Sequence, residues 1–256
     1  VSSEFTVEQF PCLKDNIGIL LHDKNRNAAI AIDAPDGGAV LAAASRLGAK
    51  LEAVLITHHH SDHTAGIAAL KEAGAVIYGP KAEAAQIEGL DRLLEDKQQF
   101  AIGRFDFEVI ATPGHTLGEI SYFLPGERIA FTGDTLFSLG CGRIFEGNAP
   151  MMFRSLQKLT ALPLKTKIYC GHEYSADNAR FALTVEPNNT ALQKRAQDIA
   201  ALRAAGKFTL PAILADELVA NPFLRADSPE IRQKLHMEKA KDEEVFAELR
   251  QMKDRF

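Results

Sequence analysis

The hydrophobic positions of this chain change rhythm twice along its length. Between residues 28 and 79, short apolar runs alternate with segments of helical spacing. AAIAIDAP (28–35) is an apolar run ending at Asp33 and Pro35, and it predicts a buried strand. GGAVLAAASRLG (37–48) predicts an Ala-rich helix closed by Gly48. LEAVLITH (51–58) predicts a second strand, TAGIAALKEAG (64–74) a helix ending at Gly74, and AVIYG (75–79) a third strand. This β-α-β-α-β order predicts helices laid over a sheet. The middle of the chain is β-rich. FDFEVIATPGH (105–115), EISYFLP (119–125) and RIAFTGD (128–134) are separated by turn signals such as Pro125-Gly126, and predict hairpin-connected strands. A helix over 149–163 and a strand over 167–173 follow. Beyond 173 every segment has helical spacing, and Ser228-Pro229-Glu230 predicts a helix start with a capping hydroxyl. The organisation expected is a mixed α/β domain over residues 1–173 and a smaller all-helical domain over 174–256.

Composition narrows the functional classes. A chain of 256 residues, 46% hydrophobic and 25% charged, is large enough to bury a core without disulfides or a structural metal. A net charge of −5 with no long basic run argues against a nucleic-acid partner. No apolar stretch approaches the ~20 residues of a membrane span. The opening VSSEFTVEQFPCL has no basic segment followed by an apolar one. Cys12, Cys141 and Cys170 stand far apart with no CxxC, which suits buried, reduced thiols. A cytoplasmic monomer acting on a small molecule is the expectation.

The segment THHHSDHTAG (57–66) changes that picture. On an extended backbone His58 and His60 face one side and His59 the other. Asp62 and His63 follow where the chain must turn into a helix. A solvated turn rarely gathers this much imidazole and carboxylate behind a buried strand, whereas a zinc or iron site requires it. Three more polar residues stand at strand ends, each preceded by Gly: His115 in TPGHT, Asp134 in TGDT and His172 in CGHEY. Seven ligands, His58, His60, Asp62, His63, His115, Asp134 and His172, are too many for one tetrahedral zinc and suit two divalent ions. Zinc leads among the candidates, with iron or manganese compatible with the same donors. Two aspartates leave such a pair of ions net positive, poised to generate a nucleophile and attract an oxyanion. His59 is assigned no ion. His22, in a charged turn, and His236, on a C-terminal helix, read as surface residues.

The motif order resembles the metallo-β-lactamase superfamily, whose H-x-H-x-D-H signature matches residues 58–63. That resemblance implies an αβ/βα sandwich. It implies one metal on His58, His60 and His115, the other on Asp62, His63 and His172, and Asp134 bridging both. GDTLFSLGCGRIFEG (133–147), GHEYSADNARFA (171–182) and RQMKDRF (250–256) are similar to the glyoxalase II family, the hydroxyacylglutathione hydrolases. The resemblance implies hydrolysis of S-D-lactoylglutathione to D-lactate and glutathione, in methylglyoxal detoxification, by a hydroxide between the two ions. Asp62 and Asp134 would serve that hydroxide as ligands first. It also implies that Arg250 and Lys253, three apart on a helix and so on one face, hold the glycine carboxylate of glutathione. By the same resemblance, Arg143, Phe145, His172 and Tyr174 would line the same site. Arg143 and Phe145 stand where Lys and Tyr are common in the family, and Ile17 where an aromatic is common. Arg keeps the charge and adds bidentate reach, while Phe145 offers glutathione no hydroxyl. The alternative reading is an iron oxygenase of the same fold, of the persulfide dioxygenase type. The complete second ligand set argues against it.

Overall fold

The computed structural model describes residues 4–256. The chain divides into two compact units, one running to Ala111 and including Leu117–Glu127, the other made of Thr112–Thr116 and Arg128–Phe256.

In the first unit, β1 (Phe5–Cys12) and β2 (Asn16–Asp23) form an antiparallel hairpin, and β2 pairs antiparallel with β3 (Ala28–Ile32). The apolar pattern does not announce β1, because this edge strand is mostly half-buried and lacks a clean alternation. His22 lies in β2 and is buried, not exposed as the sequence suggested, since β2 is covered on both faces. Then come α1 (Gly37–Arg46), β4 (Lys50–Leu55), α2 (Ser61–Thr64), α3 (Ile67–Glu72), β5 (Val76–Pro80) and β6 (Arg92–Leu94). Strands β3 to β6 run parallel. Parallel strands covered on both faces need continuous apolar runs, which AAIAI supplies. Asp36 caps α1 by accepting the Ala39 N–H at 3.0 Å, a contribution of about 1 kcal/mol. Val40 and Leu70, on α1 and α3, pack with Val54, Ile56 and Ile77 in one buried cluster. The helix expected over 64–74 is broken at Gly66, whose N–H turns to the Ala34 carbonyl at 2.8 Å.

Strands β7 (Gln99–Ile102), β8 (Phe105–Ala111) and β9 (Ile120–Leu124) form an antiparallel meander. Aromatic rings fix it to the parallel strands of the same unit. Phe100 stacks on Tyr78 and Phe107 at 5.4 and 5.1 Å, and the Tyr122 hydroxyl donates to the Ile56 carbonyl at 2.6 Å.

The second unit holds β10 (Ile129–Phe131), β11 (Leu136–Phe137), β12 (Gly140–Cys141), α4 (Ala149–Thr160), β13 (Lys167–Tyr169), α5 (Ser175–Val185), α6 (Thr190–Ala204), β14 (Ala212–Ile213), α7 (Leu214–Ala220), α8 (Pro229–Leu235) and α9 (Asp242–Arg255). Strand β10 is parallel to β13. The region after 173 is helical, as expected, apart from the two-residue strand β14. It pairs antiparallel with β13, whose edge would otherwise leave backbone groups unpaired. Ser228 precedes α8 but does not cap it. Its hydroxyl donates to Glu186 Oε1 at 2.5 Å, beside a two-point pair between Glu186 and Arg225 at 3.0 and 2.8 Å. Burial pushes the Glu186 carboxyl up, but hydrogen bonds from Arg225, Ser228 and Asn189 outweigh it and hold the group below the usual carboxylate range.

A buried polar network fixes the β11–β12 turn. Glu217 accepts from Ser138 Oγ at 3.0 Å and from the Leu139 N–H at 2.8 Å. Asn221 Nδ2 donates to the carbonyls of Phe137 and Gly140. The three cysteines are buried and free, as expected. Among the described residues, no helix is long and apolar enough to cross a membrane.

Candidate metal centre

The histidine segment of the first unit leaves β4 and enters α2 within a few residues, and three polar side chains hold it in place. Asp33 has φ +60°, a conformation uncommon outside glycine, at the end of its strand. Its carboxylate accepts the Thr57 N–H at 2.7 Å, the Thr57 hydroxyl at 3.0 Å and His63 Nδ1–H at 2.8 Å. With Nδ1 occupied, His63 has Nε2 left as its ligand atom, 3.7 Å from Asp62 Oδ2. Asn16 Nδ2 donates to the Asp62 carbonyl at 3.0 Å and to its carboxylate at 3.2 Å. The fully buried His58 turns Nδ1 to the Thr57 hydroxyl and brings Nε2 to 3.1 Å from His60 Nδ1. His59 points elsewhere. Its ring and its N–H both meet the buried Glu83 carboxylate, at 2.9 and 2.7 Å. Glu83 Oε1 also accepts the Gly118 N–H at 2.8 Å.

The second unit gathers His115, Asp134 and His172. Gly133, with φ +48°, turns the chain so that Asp134 faces inward. Asp134 Oδ2 lies 3.5 Å from His115 Nε2 and 3.3 Å from His172 Nε2. His115 Nδ1 donates to the Arg143 carbonyl at 2.7 Å, leaving Nε2 as its donor atom. His172 stacks face to face on Tyr174, with ring centres 4.7 Å apart. Gly142 passes so close that a Cβ there would lie 1.8 Å from the Asp134 carbonyl oxygen, so no other residue fits. Within each unit, imidazole nitrogens and a carboxylate oxygen converge to 3–4 Å, and the far nitrogens of His58, His63 and His115 are held by hydrogen bonds. Such a donor set fits a divalent metal centre.

A cleft of about 430 Å³ opens in the second unit. His115 and Asp134 line it, as do Arg143, Tyr174, Arg250 and Lys253. Phe145 lies in its wall, 60% exposed, with its ring 5.2 Å from that of His115. Arg250 and Lys253 share α9 as expected, but differ in their surroundings. Arg250 is buried, and its guanidinium donates to the Cys141 carbonyl at 2.7 Å and to Asp254 Oδ1 at 3.0 Å. Lys253 is partly exposed, its ammonium over the rings of Phe256 and Phe181 and 3.2 Å from the Asp177 carbonyl. Burial lowers the Lys253 pKa below the ordinary lysine value, although Asp177 pulls the other way. Burial pushes the Cys141 thiol up to about 11, against the opposing pull of Arg250.

Residues 23–172 match the model of the metallo-β-lactamase superfamily, and residues 173–256 match that of the hydroxyacylglutathione hydrolase C-terminus. A hydroxyacylglutathione hydrolase of Brucella anthropi is 52% identical over 257 residues, which span 100% of this chain and 99% of that protein. The chain belongs to the hydroxyacylglutathione hydrolase family. Among solved structures, ETHE1 from Myxococcus xanthus superposes with a TM-score of 0.68 at 25% identity, over 96% of this chain and 90% of that one. A chain solved in a di-iron-bound form reaches 0.55 at 25% identity, over 65% of this chain and 91% of that one. The fold is that of the metallo-β-lactamase superfamily with the family's helical C-terminal region.

Residues that support the centre without binding metal were not singled out from the sequence. Asp33 carried a usable signal, since the apolar run of 28–35 ends at it. Asn16 and Glu83 carried none, because each is an ordinary polar residue whose partner lies far along the chain, and Asp254 stands four residues after Arg250 on one helix but meets Arg143 only through the fold.

Proposed function

We propose that this chain hydrolyses S-D-lactoylglutathione and related S-(2-hydroxyacyl)glutathiones, releasing a 2-hydroxy acid and glutathione. The observation that carries the reading is the cleft of the second unit. It is lined by two expected metal ligands, His115 and Asp134, and by three cations, Arg143, Arg250 and Lys253. A glutathione thioester has the matching chemistry, a reactive carbonyl and distant carboxylates. In this reading His58, His60 and His115 hold one divalent ion, Asp62, His63 and His172 hold a second, and Asp134 serves both. The order of the ligand motifs and the donor types support that assignment. When bound, the ions supply a water acidic enough to act as a nucleophile near neutral pH and polarise the thioester carbonyl.

The chain's own residues do the rest. Asp33 keeps His63 in the tautomer that offers Nε2, and the Arg143 carbonyl does the same for His115. Tyr174, stacked on His172, limits rotation of that imidazole. Arg143 and Lys253 attract the carboxylate end of the substrate, and Phe145 gives the cleft an apolar wall. The leaving thiolate has a parent pKa of ~8.5 and needs no strong general acid. The active species is a single cytoplasmic chain, with residues 1–173 supplying all seven expected metal ligands and 174–256 supplying Tyr174, Arg250 and Lys253 to the substrate cleft.

The test is turnover of S-D-lactoylglutathione by purified protein loaded with zinc, iron or manganese, with metal counted on the same sample. Thiol release with two ions per chain is expected. Two bound ions and no hydrolysis would refute the reading, and oxygen uptake with glutathione persulfide would favour the iron oxygenase instead.

A further inference from the structure

We propose that Asp254 is a positioning residue that prepares the cationic end of the cleft for a carboxylate. The proposal rests on the glutathione reading given above. One oxygen of Asp254, Oδ1, accepts from Arg143 Nε at 3.2 Å and from Arg250 Nη2 at 3.0 Å. The two guanidiniums come from distant parts of the chain, Arg143 from the loop after β12 and Arg250 from α9. Arg250 is the fixed member of the trio. It is buried, lies 5.2 Å over the Phe223 ring, and donates through Nη1 to the Cys141 carbonyl. It thereby holds α9 to the loop that carries Arg143 two residues later.

Arg143 is the member that meets the ligand. Its side chain is 54% exposed and rests near the Phe145 ring. Its Nε is taken by Asp254, and its two terminal nitrogens have no partner among the described residues. The edge formed by Nη1 and Nη2 is the one that grips a carboxylate at two points. A long exposed side chain loses rotamer freedom when it captures an anion. The bond to Asp254 removes part of that freedom beforehand and selects which edge stays available.

A purely electrostatic view gives the opposite sign. A carboxylate among three cations weakens their field, so its neutralisation should tighten anion binding. Positioning predicts that neutralisation loosens binding, and only for ligands that carry the recognised carboxylate. The pair of variants is Asp254→Asn and Asp254→Ser, with Asp254→Glu as the conservative rescue. The substrates are S-D-lactoylglutathione and the same thioester with its glycine carboxylate amidated. Asp254→Asn should raise KM for the first about tenfold, the scale of one hydrogen bond to a charged group, and change kcat less than about twofold. It should leave KM for the amide within about twofold, and Asp254→Glu should recover most of the loss. An unchanged or lower KM in Asp254→Asn overturns the proposal, as does an equal rise for both substrates. If Asp254→Asn fails to fold by circular dichroism, Asp254→Ser decides by the same two criteria. Calorimetric binding of S-methylglutathione and its glycinamide separates the proposal from the functional reading. Binding without turnover refutes the thioesterase reading and leaves the variants to be judged by Kd. Absence of S-methylglutathione binding by the metal-loaded wild type overturns both.

Discussion

The ligand segment of the first unit and the cationic cleft of the second are built in opposite ways. In the first, the chemistry is contiguous: His58, His60, Asp62 and His63 lie within six residues, the remote groups Asp33 and Asn16 hold His63 and Asp62, and Glu83 holds the neighbouring His59. In the second, the chemistry itself is remote. Arg143 and Asp254 are 111 positions apart, and Arg250 meets Cys141 across 109. A local motif can be kept by a short stretch of sequence. A dispersed cleft exists only when the fold is complete, so it should be the more sensitive of the two to changes in the supporting elements. The difference also separates roles, since donor atoms for metal need fixed tautomers and distances, while a carboxylate needs a cationic edge with its freedom reduced.

Experiments that challenge this contrast begin with the ligands. His63→Ala should lower kcat and bound metal by more than about 100-fold, beyond the roughly 10–100-fold typical of losing a ligand's hydrogen-bond partner. Retention of two ions and full activity would remove His63 from the centre. Asp33→Asn should come next, weakening metal affinity about 10–100-fold in a chelator competition, because the amide can donate where Thr57 N–H and His63 Nδ1–H need an acceptor. Glu83→Gln, at the residue that His59 faces, should cost metal affinity less than Asp33→Asn does, about tenfold or below. A larger loss would mean that His59 does more than turn away from the ions. The smallest effect concerns Lys253, whose pKa burial lowers. Its positive charge, and with it the attraction for a carboxylate, is complete below that pKa and disappears as pH rises through it. KM for the glutathione thioester should therefore climb several-fold on the alkaline side at a pH below that of an ordinary lysine, near 10.4. Lys253→Arg should flatten the climb, and a profile identical to wild type would assign the titration elsewhere.

The same contrast explains what could be read from the chain. The alternation of β3, α1 and β4 was legible because a fully buried parallel strand such as β3 is a continuous apolar run, and the inner end of β4, Ala53–Leu55, is one too, with helix signals between them. The ligand segment was legible because imidazole is dense there and its period matches an extended backbone. Strand β14 was not, since two residues beside a proline carry no periodicity and take their conformation from the edge of β13. Ser228 had the right position for a cap, but Glu186, 42 residues earlier, competes for its hydroxyl. His22 was misjudged from its polar neighbours, because burial of a hairpin strand depends on what packs against it. Arg250 was expected on the right helix face, but its engagement with Cys141 and Asp254 depends on the loop that comes to meet it.

The hydrogen bond from His115 Nδ1 to Arg143 has a consequence for how this protein can diverge. The carbonyl of residue 143 orients an expected metal ligand, whereas its side chain faces the cleft. The two duties belong to separate parts of one residue, and only the side chain is encoded by the choice of amino acid. Any residue other than proline that keeps the local backbone leaves the imidazole oriented while the recognition of the substrate's far end is rewritten. Position 143 is thus a place where selection can explore new acyl carriers without risking the metal chemistry. Its neighbour Gly142, pressed against Asp134, is closed to that exploration.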